Sequence, residues 1–318
     1  MVHAKKLGTG EYTYEVEPGW ENLPPGIGWR EVAGVAIDSQ GYVYLFSRGD
    51  HPMNVFDREG NFITSWGQGV FTRPHGVTLG PNETLFCVDD GDHTVRQCTL
   101  DGKVLMTLGT PGHAAEPHSG MPFNRCTDTA FDPKTADFYV SDGYGNSSVH
   151  KYSPDGRHLL SWGRPGTEAG EFNIVHNIAT DKDGYVYVAD RENHRIQIFD
   201  SNGTFETMWA NVHRPSAIYI SADQTVYVGE LGTNLSLNKD VPNIGPRISV
   251  LNTRGERQAT VGELGLGYED GQFIAPHGIA VDTDGNIYLA EVAWTNLKNM
   301  GEDPQGVRAF QKLAKVGL

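Results

Sequence analysis

A self-similar unit recurs along the chain at a period of roughly 40–50 residues, and a period of that size restricts the fold to a stacked or radial repeat. Each unit reads as a short hydrophobic run ending in Asp, a tight turn, an aromatic-rich run of the YVYVAD kind, a loop, a third apolar strand, a second turn, and a last strand ending in Trp-Gly or its like. Six copies start as AGVAIDSQGYVYLF at Ala33, HGVTLGPNETLFCV at His75, TDTAFDPKTADFYV at Thr127, HNIATDKDGYVYVAD at His176, SAIYISADQTVYVGE at Ser216 and HGIAVDTDGNIYLAE at His277. The runs alternate with period two and are punctuated by Asp-x-x-Gly turns, so they are antiparallel strands joined by hairpins. Four strands in each of six units give an all-β fold, a six-bladed β-propeller. The 39 glycines and 17 prolines among 318 residues suit so many turns, and no amphipathic helical period is visible.

The sixth unit has strands near Gly278–Asp282, Asn286–Ala290 and Val307–Leu313 and then runs out of chain. Its missing outermost strand is expected from residues 11–16, at Tyr12–Val16, which closes the ring and removes an open edge. Residues 1–318 are thus read as one domain, with blades beginning near 33, 75, 127, 176, 216 and 277.

A net charge of −15 disfavours a nucleic-acid partner, whose phosphates select basic faces. No apolar run approaches the ~18–20 residues of a membrane span. The opening MVHAKKLGTGEYTYEV has lysines without an apolar run behind them, so no signal peptide is visible and a cytoplasmic protein is expected. Three cysteines make neither a disulfide framework nor a four-cysteine metal site. Cys87 and Cys98 fall on neighbouring strands and could pair, leaving Cys126 free.

Loop lengths assign the faces. The first-to-second and third-to-fourth connections are short turns (SQG, PNE, DKDG, DTDG; REG, LDG, PDG, SNG), whereas the others include Thr110–Met121, Arg164–Glu171, Leu231–Gly245 and Trp294–Gly306. Long loops on one face of a rigid scaffold carry function, so the site is sought there, on the top.

The residues opening the innermost strands are, in order, Ala33, His75, Thr127, His176, Ser216 and His277. Histidine fills every second slot, at successive intervals of 101 residues. Alternate blades of a six-fold ring are a third of a turn apart, so three imidazoles converge on the axis. Three neutral nitrogens with an open fourth position are the donor set of a catalytic zinc, although imidazole also suits iron, nickel and copper. Repeat ancestry alone could also place histidine in these slots. His51, His93, His113, His118, His194 and His213 are read as solvated loop residues, and His150 and His158 as outer-strand residues.

The second strand of each blade returns to the top, ending at Arg48, Asp90, Tyr144, Arg191, Glu230 and Glu291. Arg48 and Arg191 could grip a substrate carboxylate. A tyrosine beside a cation and two guanidiniums has its phenolate favoured and can serve as base. An ion pair of Arg191 with Glu192, and a channel-lining role for Tyr144, are the plainer readings. Glu230 and Glu291 are either orienting partners or solvated acids.

At these residues the chain resembles the peptidyl-α-hydroxyglycine α-amidating lyase family, a zinc-dependent branch of the NHL-repeat propellers. The likeness is carried by RGDH at Arg48–His51, RPHGV at Arg73–Val77, TDTAFDPKTADFYVSDGYGNSSV at Thr127–Val149, VHNIA at Val175–Ala179, VADRENHRIQIF at Val188–Phe199 and APHGIAVDTDGNIYLAE at Ala275–Glu291. DGYGNS and ADRENHRIQ are the specific parts. The resemblance implies that His75, His176 and His277 bind zinc, that Tyr144 is the base, and that Arg48 and Arg191 contact carboxyl oxygens of substrate and product. It implies cleavage of a carbinolamide, R-CO-NH-CH(OH)-COO⁻, to an amide and glyoxylate.

Three positions depart from the family. Ala275 replaces a methionine beside the last Pro-His, and Gly278 replaces an acid associated with a structural calcium, which counts against calcium here. Gly145 replaces a cysteine, so that family disulfide cannot form. With no monooxygenase domain in the sequence to make peptidyl-hydroxyglycine, a small carbinolamide, a ureidoglycolate-like compound or another α-hydroxy acid is as well suited as a peptide. Two other readings stand beside the lyase: metal-dependent hydrolysis of a lactone or ester at the same site, and a non-enzymatic NHL module that binds protein. The oligomeric state is left open.

Overall fold

In a computed structural model the chain is described over residues 5–316, except 234, 236, 239 and 240. Part of the loop expected at 231–245, and the ends of the 1–318 domain, lie outside the described residues. Six antiparallel sheets surround an axis, and five of them follow chain order from an innermost to an outermost strand. The innermost strands are Glu31–Ile37, Pro74–Gly80, Cys126–Phe131, Val175–Thr180, Pro215–Ile220 and Pro276–Val281. Tyr12–Glu17 pairs with Phe310–Lys315, so the two ends of the chain share the sixth blade. A further strand, Lys6–Thr9, pairs outside it and makes that sheet five-stranded, which the repeat pattern had not indicated.

The repeat residues explain the hairpins. Asp38 Oδ1 accepts the amides of Gln40 and Tyr42, both at 2.9 Å, and its Oδ2 takes the Tyr44 hydroxyl at 3.0 Å. Asp181 does the same for Asp183, Tyr185 and Tyr187, so D-x-x-G-Y-x-Y is an Asx turn locked by the tyrosine two residues on. The Trp that ends an outer strand packs on the turn of the next blade. Gly102 has φ +92°, and a Cβ there would come within 2.6 Å of the Trp66 ring, so both the left-handed backbone and the close approach require glycine.

Between blades the core is apolar, with clusters such as Tyr44, Phe46, Met53, Val77, Leu85 and Cys87 bridging blades 1 and 2. Cys87, Cys98 and Cys126 are buried free thiols; the pairing considered for Cys87 and Cys98 is not formed. A helix, Ala293–Met300, lies in the long top loop of blade 6, where the sequence carried no helical period. Eight residues span barely two turns, too short for a period to show. Among the described residues no helix is long and apolar enough to cross a membrane.

Candidate metal centre

His75, His176 and His277 are buried at the top of the axis, and each offers a ligand atom within 4.8 Å of those of the others. Their ring centroids are 5.0, 4.7 and 4.6 Å apart, close to an equilateral triangle. Each ring is fixed by the blade that follows it. His75 Nδ1 lies 2.7 Å from the Thr127 carbonyl, His176 Nδ1 2.7 Å from that of Ser216, and His277 Nδ1 2.6 Å from that of Ala33. A carbonyl only accepts, so Nδ1 carries the proton in all three and the Nε2 lone pairs are left for the axis. Burial is the main cause that holds all three pKa values well below the usual imidazole value. Neighbouring imidazoles and the Arg48 and Arg191 charges add to it. The rings are therefore neutral at pH 7, which is the state that binds a metal. Three oriented, neutral nitrogens fit zinc or another borderline divalent ion, and each already has the backbone partner that tunes such ligands.

The carbonyl just before each histidine is also anchored from the preceding blade. Thr127 Oγ1 donates to Val175 O at 3.1 Å, and Ser216 Oγ donates to Pro276 O. Blade 1 has Ala33 in that slot and no hydroxyl. There the Arg48 Nε donates to Pro74 O at 2.8 Å.

Arg48 is 4% exposed, and its Nη1 pairs with Glu31 at 2.9 Å. Glu31 also accepts the Thr295 amide at 2.8 Å and its hydroxyl at 2.7 Å, within the first turn of the blade 6 helix. The helix N-terminus thus complements the buried carboxylate and ties blade 6 to blade 1.

The ladder registers correct the sequence alignment of the second-strand ends. The residues opposite the start of the innermost strands are Arg48, Asp89, Asp142, Asp190, Glu230 and Glu291. Asp90 and Arg191 sit one residue beyond that slot and Tyr144 two. The five acids are structural: each accepts amides of the segment entering its innermost strand, as Glu291 does from Ile274 at 2.7 Å and Ala275 at 3.0 Å. Glu230 holds His213 N, Arg247 and Ser249. Neither glutamate is solvated, and Glu291 has its pKa raised by burial while it anchors the residues before His277.

Tyr144, two residues past its slot, reaches the centre. Its hydroxyl is 2.9 Å from His176 Nε2 and 3.2 Å from His75 Nε2. Arg191 does pair with Glu192, at 2.8 Å, yet keeps Nη1 3.5 Å from the Tyr144 oxygen. The repeat pattern does not single out Arg125, whose guanidinium stacks 4.6 Å from the Tyr144 ring centroid, or Arg73 and Arg214 on the same rim. Their signal is slight: Arg73, Arg125 and Arg214 each stand two residues before a slot residue.

His51, His93 and His213 are half-buried and hydrogen-bonded, not freely solvated. His93 Nδ1 accepts the Arg125 amide at 3.0 Å. His150 is wholly buried between Asp142 and Ser161. Below the histidines a cavity of about 510 Å³ follows the axis, lined by residues that include Val77, Asp128, Asn177 and Ile279. Burial pushes the Asp128 carboxyl up to about 7, against hydrogen bonds from Thr129 N, Thr78 and Asn177.

A family model described as "NHL repeat" matches residues 172–199, the first three strands of blade 4. NHL repeat-containing protein 3 of Mus musculus is 31% identical over 278 residues, covering 81% of this chain and 76% of that protein. Peptidyl-alpha-hydroxyglycine alpha-amidating lyase 1 of Drosophila melanogaster is 32% identical over 252 residues, covering 71% of this chain and 44% of the lyase. The chain thus spans less than half of that lyase, and 34% of the Xenopus laevis peptidyl-glycine alpha-amidating monooxygenase B it also matches. A gluconolactonase structure from Xanthomonas campestris superposes with a TM-score of 0.60 at 11% identity, covering 89% of this chain and 86% of that one. That likeness is one of fold.

Proposed function

Because the chain belongs to the NHL-repeat propeller family of NHL repeat-containing protein 3 and the peptidyl-α-hydroxyglycine α-amidating lyases, we propose that it is a metal-dependent lyase of carbinolamides. The observation that carries this reading is Tyr144 Oη within hydrogen-bond reach of two of three converging Nε2 atoms. His75, His176 and His277 would hold the metal, which as a Lewis acid polarises the substrate's α-hydroxyl when bound.

The chain's own groups do the rest. Arg191 receives the α-carboxylate, placing the hydroxyl beside Tyr144. Arg48, with Nε and Nη1 engaged, contributes its charge and the Nη2 edge, and it holds the Pro74 carbonyl ahead of His75. Tyr144 takes the hydroxyl proton as the C–N electron pair withdraws to nitrogen and the O–H pair becomes the C=O bond of glyoxylate. The same proton, returned to nitrogen, completes the primary amide. Charge that develops on oxygen faces fixed guanidiniums in a buried site, where it needs no solvent reorganisation.

Glyoxylate release from N-acyl-α-hydroxyglycines by the metal-loaded protein tests the reading. Release that needs both the histidines and Tyr144 supports it. A lactone or ester hydrolysis that survives Tyr144→Phe would replace it.

A further inference from the structure

Arg73 and Arg125 close the loops that enter blades 2 and 3, and both turn onto one carboxylate. Asp90, fully buried, accepts from Arg73 Nη1 at 2.8 Å and from Arg125 Nη2 at 2.7 Å, both on Oδ2. Arg48 stands 3.9 Å from the other oxygen, but its charge is already matched by Glu31. Two guanidiniums therefore share a single negative charge. Their side chains remain 35% and 39% exposed, and among the described residues Arg73 Nε and Nη2 and Arg125 Nη1 have no hydrogen-bond partner. A net excess of positive charge kept at the mouth of a site, in a chain of net charge −15, attracts and orients anions.

The location says which anion. Arg125 lies over the face of Tyr144, and Arg73, two residues before His75, shares the Asp90 oxygen with it. Arg191 and Arg214 form a separate cluster on Glu192, reaching the Tyr144 hydroxyl from blade 4. One α-carboxylate needs one such arm.

We propose that Arg73 and Arg125 receive a second anionic group carried on the acyl side of the substrate, so that the preferred substrates are dianionic N-acyl-α-hydroxyglycines. This rests on the lyase reading above. Planar guanidiniums with free edges take a carboxylate by charge-assisted hydrogen bonds, which a neutral acyl group cannot form.

The test compares N-succinyl- with N-butyryl-α-hydroxyglycine, acyl groups of equal length that differ by the terminal carboxylate. The wild-type, metal-loaded protein is expected to favour the succinyl compound at least ~10-fold in kcat/KM, chiefly through KM. Arg125→Gln and Arg73→Gln should each lower that ratio about tenfold, with Arg125→Lys restoring part of it. A ratio near one in the wild type, or one unchanged by both substitutions, overturns the proposal. If neither compound is split, the lyase reading fails and calorimetry with succinate and butyrate decides the anion site alone. Tighter succinate binding that is lost in Arg125→Gln upholds the site; equal binding of the two acids overturns it.

Discussion

His75 Nδ1 donates to the carbonyl oxygen of Thr127, 2.7 Å away and one blade further round the ring. The same bond is made by His176 to Ser216 and by His277 to Ala33, so every histidine is oriented by the neighbouring blade that lacks one. The intervening slots thus set the direction of each imidazole through their main-chain carbonyls.

Tyr144→Phe is expected to keep the bound metal and lose about 10²–10⁴-fold in kcat on an α-hydroxyglycine substrate, the usual range for removing a positioned acid–base group. Steady-state kinetics beside metal analysis checks it. A variant of wild-type rate would remove tyrosine from the proton path.

Arg48→Met leaves Glu31 buried without its partner and should cost about 3–5 kcal/mol in denaturant unfolding. It also frees the Pro74 carbonyl, so metal affinity should fall by roughly 10-fold. Combining it with Glu31→Gln should recover part of the stability but not the metal affinity. Equal stability of Arg48→Met and wild type would contradict the clamp seen in the structure.

Asp128 gives a pH signature. Its carboxyl is pushed up to about 7 in the folded chain, so the native state holds a proton that the unfolded state has released. A raised acid of this kind lowers stability as pH rises from about 4 to about 7, by at most ~1.4 kcal/mol per pH unit. Thermal unfolding of wild type against Asp128→Asn should show the variant gaining relative stability across that window and the difference levelling off above it. A difference independent of pH would mean that Asp128 is not buried as an acid.

The propeller and its histidine slots were legible because both are repeat properties: a period, a turn pattern and a fixed position on the innermost strand. What lay outside the repeat was not. Tyr144 and Arg191 were aligned with Glu230 and Glu291 as equivalent strand ends, but the ladder puts them two and one residues further on. Only the register separates an acid that anchors an amide from a side chain that reaches the axis. Arg48 occupies an acid's slot in the one blade whose partner residue, Glu31, supplies the carboxylate from across the ladder. Arg125 was invisible because its position depends on Asp90 in the preceding blade, a contact between residues 35 apart in the chain.

The central claim is that three histidines a third of a turn apart hold one catalytic metal. Elemental analysis of tag-free wild type beside His176→Ala, with circular dichroism to confirm that the variant keeps its strands, tests it most directly. The expected result is about one transition metal per wild-type chain and almost none in the folded variant. A wild type that takes up no metal even after incubation with zinc, or a variant that retains it in full, would contradict the account.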